Sequence, residues 1–181
     1  GKWAGVLLKD ADVDQAVNST ASGIFSHAGQ VCSAQSRLIV PKALQNEIIE
    51  KLVAKANSLS IGPGIDGHDL TPVISASQAD KIEGMCLAAS QAGAEAVTGG
   101  RKHEGLPGHF IEPTVFSNVT SDMTIAREEV FGPVLSVLTY DDPEEAIALA
   151  NGTNYGLCAG IYTKDLATAH WAADRLIAGQ V

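Results

Sequence analysis

The sequence has no long hydrophobic run, few aromatic residues (5%), only three cysteines and no cluster of lysine and arginine. Each shortage removes a class of function. No apolar stretch approaches the ~20 residues of a membrane-crossing helix, and the first residues carry no basic segment followed by an apolar one, so no membrane partner is expected. Asp and Glu outnumber Lys and Arg by 21 to 12. An acidic surface of this kind repels phosphate backbones, and no nucleic-acid partner is expected either. Cys32, Cys86 and Cys158 stand at wide, irregular spacing, which is neither a disulfide framework nor a zinc site, and no metal is expected. An odd set of free thiols points to a reducing, cytoplasmic setting, which keeps a nucleophilic thiol available.

What the chain does have is small and branched apolar residues. Apolar side chains make up 45% of its 181 residues, enough for one domain with a core or for one lobe of something larger. Helical and strand-like patterns alternate along it. An apolar run over 1–8 reads as a strand, and Asp12 caps a helix carrying Val13, Val17, Ala21, Ile24 and Phe25, which Gly29 stops. Leu38-Ile39-Val40 reads as a short buried strand. A helix bearing Leu44, Ile48, Leu52 and Val53 follows, then one opened by Ser77 and Gln78 with Ile82, Met85, Cys86 and Ala89 on one face. Ala94–Thr98 reads as a strand, and Phe110–Phe116 as an extended run whose Pro113 argues for a sheet edge or a bulge. Asp142-Pro143-Glu144-Glu145 opens a helix that ends near Gly152. Leu157–Tyr162 reads as a buried strand enclosing an inert Cys158, and Asp165 caps a last helix carrying Leu166, Ala169, Ala173, Leu176 and Ile177, stopped by Gly179. The expected fold is α/β: an open, mostly parallel twisted sheet with helices on both faces, in three layers.

Gly62-Pro63-Gly64-Ile65-Asp66-Gly67 matches the spacing of a dinucleotide fingerprint, but that fingerprint follows a strand and opens a helix. Here a helix precedes and Asp69-Leu70-Thr71-Pro72 follows, so the run is read as a glycine-proline loop.

Two stretches hold candidate chemistry. Cys32 falls in the joint between a helix and a strand, where a loop can present a thiol to a ligand. The same position also suits a small packed hydrophobe. In Glu128-Glu129-Val130-Phe131-Gly132-Pro133, alternation lets one acid face a cleft while its neighbour faces solvent, with Phe131 on the side of Glu129 if the backbone is extended. An ordinary polar loop leading into a strand has the same spacing.

Gly29-Gln30-Val31-Cys32 together with Glu128-Glu129-Val130-Phe131-Gly132-Pro133-Val134 resembles the catalytic domain of NAD(P)-dependent aldehyde dehydrogenases. Supporting pieces run in the family's order: Gly1-Lys2, Ser36-Arg37, Pro113-Thr114-Val115, Ala150-Asn151 and Tyr155-Gly156-Leu157. The resemblance implies that Cys32 is the nucleophile, that Glu129 bonds the ribose of the nicotinamide half of NAD or NADP, and that Phe131 packs near the nicotinamide ring. It implies a small-molecule aldehyde oxidised to a carboxylic acid through a thiohemiacetal and a thioester, in a homodimer or homotetramer. Residues 1–181 are then expected to be a single excised catalytic domain, without the cofactor-binding domain, the oligomerisation strand and the upstream general-base glutamate of the family, and inactive alone. His27 stands where the family often has asparagine. Three other readings are a CoA-acylating semialdehyde dehydrogenase, a cysteine hydrolase pairing Cys32 with His27, His103, His109 or His170, and a packing module with an incidental thiol.

Overall fold

The computed structural model describes residues 1–181 and contains six strands in one sheet. In chain order the elements are β1 (Ala4–Leu7), α1 (Val13–Phe25), β2 (Arg37–Pro41), α2 (Gln45–Ser58), α3 (Ala76–Gln91), β3 (Glu95–Thr98), β4 (Thr114–Ser117), the one-turn α4 (Thr124–Arg127), β5 (Val134–Tyr140), α5 (Pro143–Asn151), β6 (Ala159–Tyr162) and α6 (Leu166–Ala173). The strand order across the sheet is β3-β4-β5-β2-β1-β6, and every pair is parallel except β3 with β4. Every residue of β1, β2 and β4, and all of β5 except Thr139, is buried or nearly so. Continuous runs such as Leu38-Ile39-Val40 are what a strand covered on both faces requires. The edge strands are shorter on cover: β3 starts with two exposed residues and β6 is buried only at Ala159.

Crossovers set the layers. The step from β1 to β2 moves toward the β3 edge and the step from β5 to β6 moves away from it. Right-handed connections therefore place α1 and α5 on opposite faces. α1 packs with α2, whereas α5 covers β1, β2 and β5. Asp12, Asp142 and Asp165 cap their helices as their sequence positions suggested, each accepting a backbone N–H from the first turn. No helix is long and apolar enough to cross a membrane.

Four local expectations fail, each for a physical reason. α3 is capped by Ser75, whose hydroxyl accepts the Gln78 N–H at 3.2 Å, so the helix starts at Ala76. Pro113 does not mark an edge: β4 lies inside the sheet, and Pro113 sits one residue ahead of it, where its missing N–H removes no ladder bond. The irregularity is on β3, whose register against β4 shifts between Ala96 and Thr98. α6 stops at Ala173, short of Leu176 and Ile177. Asn151 draws the backbone away there, accepting the Ile177 N–H at 2.9 Å and donating to the Arg175 carbonyl at 2.9 Å. Leu166 and Ile177 are exposed at 71% and 74%, because α6 flanks the edge strand and has little sheet to cover. Cys158, expected inside a buried strand, precedes β6 and is partly exposed.

Candidate active site

The candidate residues gather at the amino ends of the parallel strands. Gly1 and Lys2 precede β1, Cys32 precedes β2, Glu129 and Phe131 precede β5, and Cys158 precedes β6. Ligands of open α/β sheets usually sit at the carboxyl ends, so nothing in strand periodicity points to this end.

The Cys32 loop is shaped by three consecutive left-handed residues after α1: His27 (φ 52°), Ala28 (φ 53°) and Gly29 (φ 68°). His27 and Ala28 hold this conformation against the steric preference of L-residues. Gly29 is obligatory for a second reason: a Cβ there would lie 2.0 Å from the Gly132 carbonyl oxygen. The two candidate stretches are thus in backbone contact at Gly29 and Gly132. A turn closed by the Ala34 N–H on the Val31 carbonyl, at 3.0 Å, then carries Cys32 at its tip, exposed.

Beneath the tip, Arg37 is 3% exposed and donates from Nε to the Lys2 carbonyl at 3.1 Å, and from its two terminal nitrogens to the Leu149 and Ala150 carbonyls at 2.8 Å each. One guanidinium thus ties the Cys32 strand, the Gly1-Lys2 segment and the carboxyl end of α5 together, which suits both the fork of donors and the helix dipole. Burial pulls Arg37 down to about 10. Lys2 is also enclosed, its Nζ has no hydrogen-bond partner, and burial with the nearby Arg37 charge pulls it down to about 7. Gln35 adds a second tie, donating to Thr20 Oγ1 at 2.8 Å and accepting from the Tyr162 hydroxyl at 2.7 Å.

Glu129 is the acid that turns inward. Its side chain is 31% exposed, and it lines a cavity beside Gly1. Phe131 is half-buried with a left-handed φ of 56°, so the backbone there is not extended and alternation does not set the direction of its ring. Two cavities meet at Gly1. Cys32, Tyr155, Leu157 and Cys158 line one, and Glu129, Phe131, Gly132 and Val31 line the other. A Cβ on Gly1 would lie 2.5 Å from the Cys32 carbonyl oxygen, so the sulfur-bearing loop and the carboxylate approach one residue from two sides.

Three contributors had no site role assigned from the sequence. Gln78 donates from Nε2 to the carbonyls of Val130 (3.1 Å) and Phe131 (2.9 Å), and Lys81 reaches the Glu129 carbonyl at 3.4 Å. The Tyr155 hydroxyl meets Glu128 and the Glu129 N–H. Gln78 and Lys81 lie on the polar side of α3, where spacing alone reads as solvated surface. The other thiol, Cys86, is buried in α3 and burial pushes it up to about 12. His103 lies 3.7 Å from Glu112. No group of His, Cys, Asp and Glu could hold a metal ion.

An exposed thiol at a loop tip, and a carboxylate and an aromatic ring lining a neighbouring cavity, lie at one end of the mostly parallel sheet of an α/β domain. The chain belongs to the aldehyde dehydrogenase family, whose sequence model matches residues 1–181. It is 42% identical over 186 residues to betaine aldehyde dehydrogenase of Rhizobium leguminosarum bv. trifolii, with 99% of this chain and 37% of that protein covered. To betaine aldehyde dehydrogenase of Bacillus subtilis it is also 42% identical, with 100% of this chain and 38% of that protein covered. The NAD+ complex of an aldehyde dehydrogenase from Bacillus cereus superposes with a TM-score of 0.97 at 38% identity, covering 100% of this chain and 37% of that one. The chain therefore spans little more than a third of the length of these relatives.

Proposed function

We propose that the protein carrying this chain is an NAD(P)-dependent aldehyde dehydrogenase and that residues 1–181 are its thiol-bearing catalytic domain. Cys32 is the nucleophile, Glu129 receives ribose hydroxyls of the nicotinamide half of the cofactor, and Phe131 packs near the nicotinamide ring. The observation that carries this reading is the meeting of the Cys32 cavity and the Glu129–Phe131 cavity at Gly1. The donor set fits the cofactor: a carboxylate accepts from vicinal hydroxyls, and a half-exposed aromatic ring offers a flat apolar face.

The Cys32 thiolate adds to the aldehyde carbonyl, and the backbone N–H of Cys32 is next to the oxyanion so formed. When bound, the dinucleotide supplies the two-electron oxidant. Cys32 then holds the acyl group as a thioester until water releases it as a carboxylic acid and the thiol is restored. Relatives named betaine aldehyde dehydrogenases make betaine aldehyde the first substrate to assay. A cytoplasmic homodimer or homotetramer belongs to the same proposal.

The test uses the full-length protein with betaine aldehyde and simple aliphatic aldehydes. Cys32→Ala is expected to lower NAD-dependent oxidation at least ~10³-fold while dinucleotide binding persists. Oxidation that survives in Cys32→Ala refutes the reading, and an acyl-CoA product formed only with added CoA replaces it by the CoA-acylating one.

A further inference from the structure

Glu128 and Glu129 are neighbouring carboxylates, yet only Glu129 enters the cavity beside Gly1. Both follow the single turn of α4, and Glu128 already has extended backbone (φ −99°, ψ 150°), so the helix does not orient either side chain. The side chain that hydrogen-bonds to both residues is Tyr155, from the segment between α5 and β6. Its hydroxyl donates to Glu128 Oε2 at 3.4 Å and accepts the backbone N–H of Glu129 at 3.4 Å. The same residue lines the Cys32 cavity.

We propose that Tyr155 is a positioning residue that retains Glu128 on its own side and thereby aims Glu129 at the cofactor ribose, an inference that rests on the role given to Glu129 above. A phenol suits the task because one oxygen is both donor and acceptor. Burial and the Glu128 carboxylate push its ionisation upward, so the donor proton is retained at neutral pH. Both contacts, at 3.4 Å, are longer than ordinary hydrogen bonds, and on this proposal they tighten when a ligand closes the site. The backbone of this loop is independently held by Gln78 at Val130 and Phe131. Removing the Tyr155 hydroxyl should therefore release the carboxylates without unfolding the loop.

The experiment compares Tyr155→Phe, Glu128→Gln and the double variant with wild type in the full-length protein. Tyr155→Phe is expected to raise the KM for NAD about five-fold, the scale of one lost hydrogen bond to a charged or backbone group. It should leave the KM for aldehyde and the iodoacetamide alkylation rate of Cys32 unchanged, and speed amide hydrogen exchange at Glu129. The double variant should be no worse than Tyr155→Phe, because both changes remove one link. Unchanged exchange at Glu129 overturns the proposal. So does a parallel fall in Cys32 alkylation, both KM values and thermal stability, which marks a general packing role. Amide exchange needs no turnover, so it decides whether Tyr155 holds the loop even if the wild-type protein oxidises no aldehyde and the functional reading above fails.

Discussion

Replacing Lys2 by methionine should make the chain more stable, and more so the lower the pH. Lys2 is 2% exposed, its Nζ has no hydrogen-bond partner, and Arg37 places a second positive charge nearby. Its fall from 10.5 to about 7 corresponds to roughly 5 kcal/mol. The unfolded chain binds a proton that the folded chain releases between about pH 7 and pH 10.5. Stability therefore rises with pH across that window, and the full penalty is present below about pH 7. Methionine fills nearly the same space without a charge. Lys2→Met should thus gain several kcal/mol at pH 6, up to about 5, and the gain should shrink toward zero near pH 10. That is a large part of the ~5–15 kcal/mol that holds a domain together. Urea unfolding of both proteins at pH 6, 8 and 10, compared at equal m-values, measures the difference. A Lys2→Met protein less stable at pH 6, or a difference that does not shrink as pH rises, refutes the reasoning and means that the ammonium is received by Glu128 or by main-chain oxygens.

The thiols should separate by exposure: iodoacetamide labels Cys32 and Cys158 in the native chain, whereas Cys86, buried and pushed up to about 12, reacts only in denaturant. Mass spectrometry of the labelled peptides reads this directly, and native labelling of Cys86 ahead of Cys32 would contradict the site. Gly29→Ala puts a methyl 2.0 Å from the Gly132 carbonyl oxygen at a φ of 68°, so it should destabilise by about 3 kcal/mol or more. Its denaturation midpoint should fall and Cys32 alkylation should change with it, whereas Gly67→Ala, where a Cβ meets nothing within 4 Å, should show only the smaller strain of a left-handed alanine.

Element identity was largely written in local sequence. Asp12, Asp142 and Asp165 sit where a helix must begin, because a short acceptor side chain there satisfies an otherwise unpaired N–H. Leu38-Ile39-Val40 must be covered on two faces. The glycines of 62–67 lie in the loop between α2 and α3, exposed from Pro63 to Gly67, with neither the preceding strand nor the following helix that a dinucleotide fingerprint needs. Element ends were less legible, since the end of α6 depends on Asn151, a residue on another helix. Burial at the β6 edge was misread for the same reason: periodicity says which face of a helix is apolar, not whether anything covers it.

The order of residues by itself determined the α/β class, the helix starts at Asp12, Asp142 and Asp165, the acidic surface and the pairing of a Cys32 loop with a Glu128–Phe131 run in one chain. Tertiary structure alone decided that both stretches lie at the amino ends of the strands, that Gly1 stands between them, and that Glu129 rather than Glu128 turns inward. Those facts arise from contacts between distant parts of the chain: Gly29 against Gly132 and Arg37 against Leu149 and Ala150, each across about a hundred residues, and Tyr155 against Glu128 across 27. Local preference acts within a turn or a strand, whereas which side chain faces a cavity depends on what the rest of the fold brings beside it.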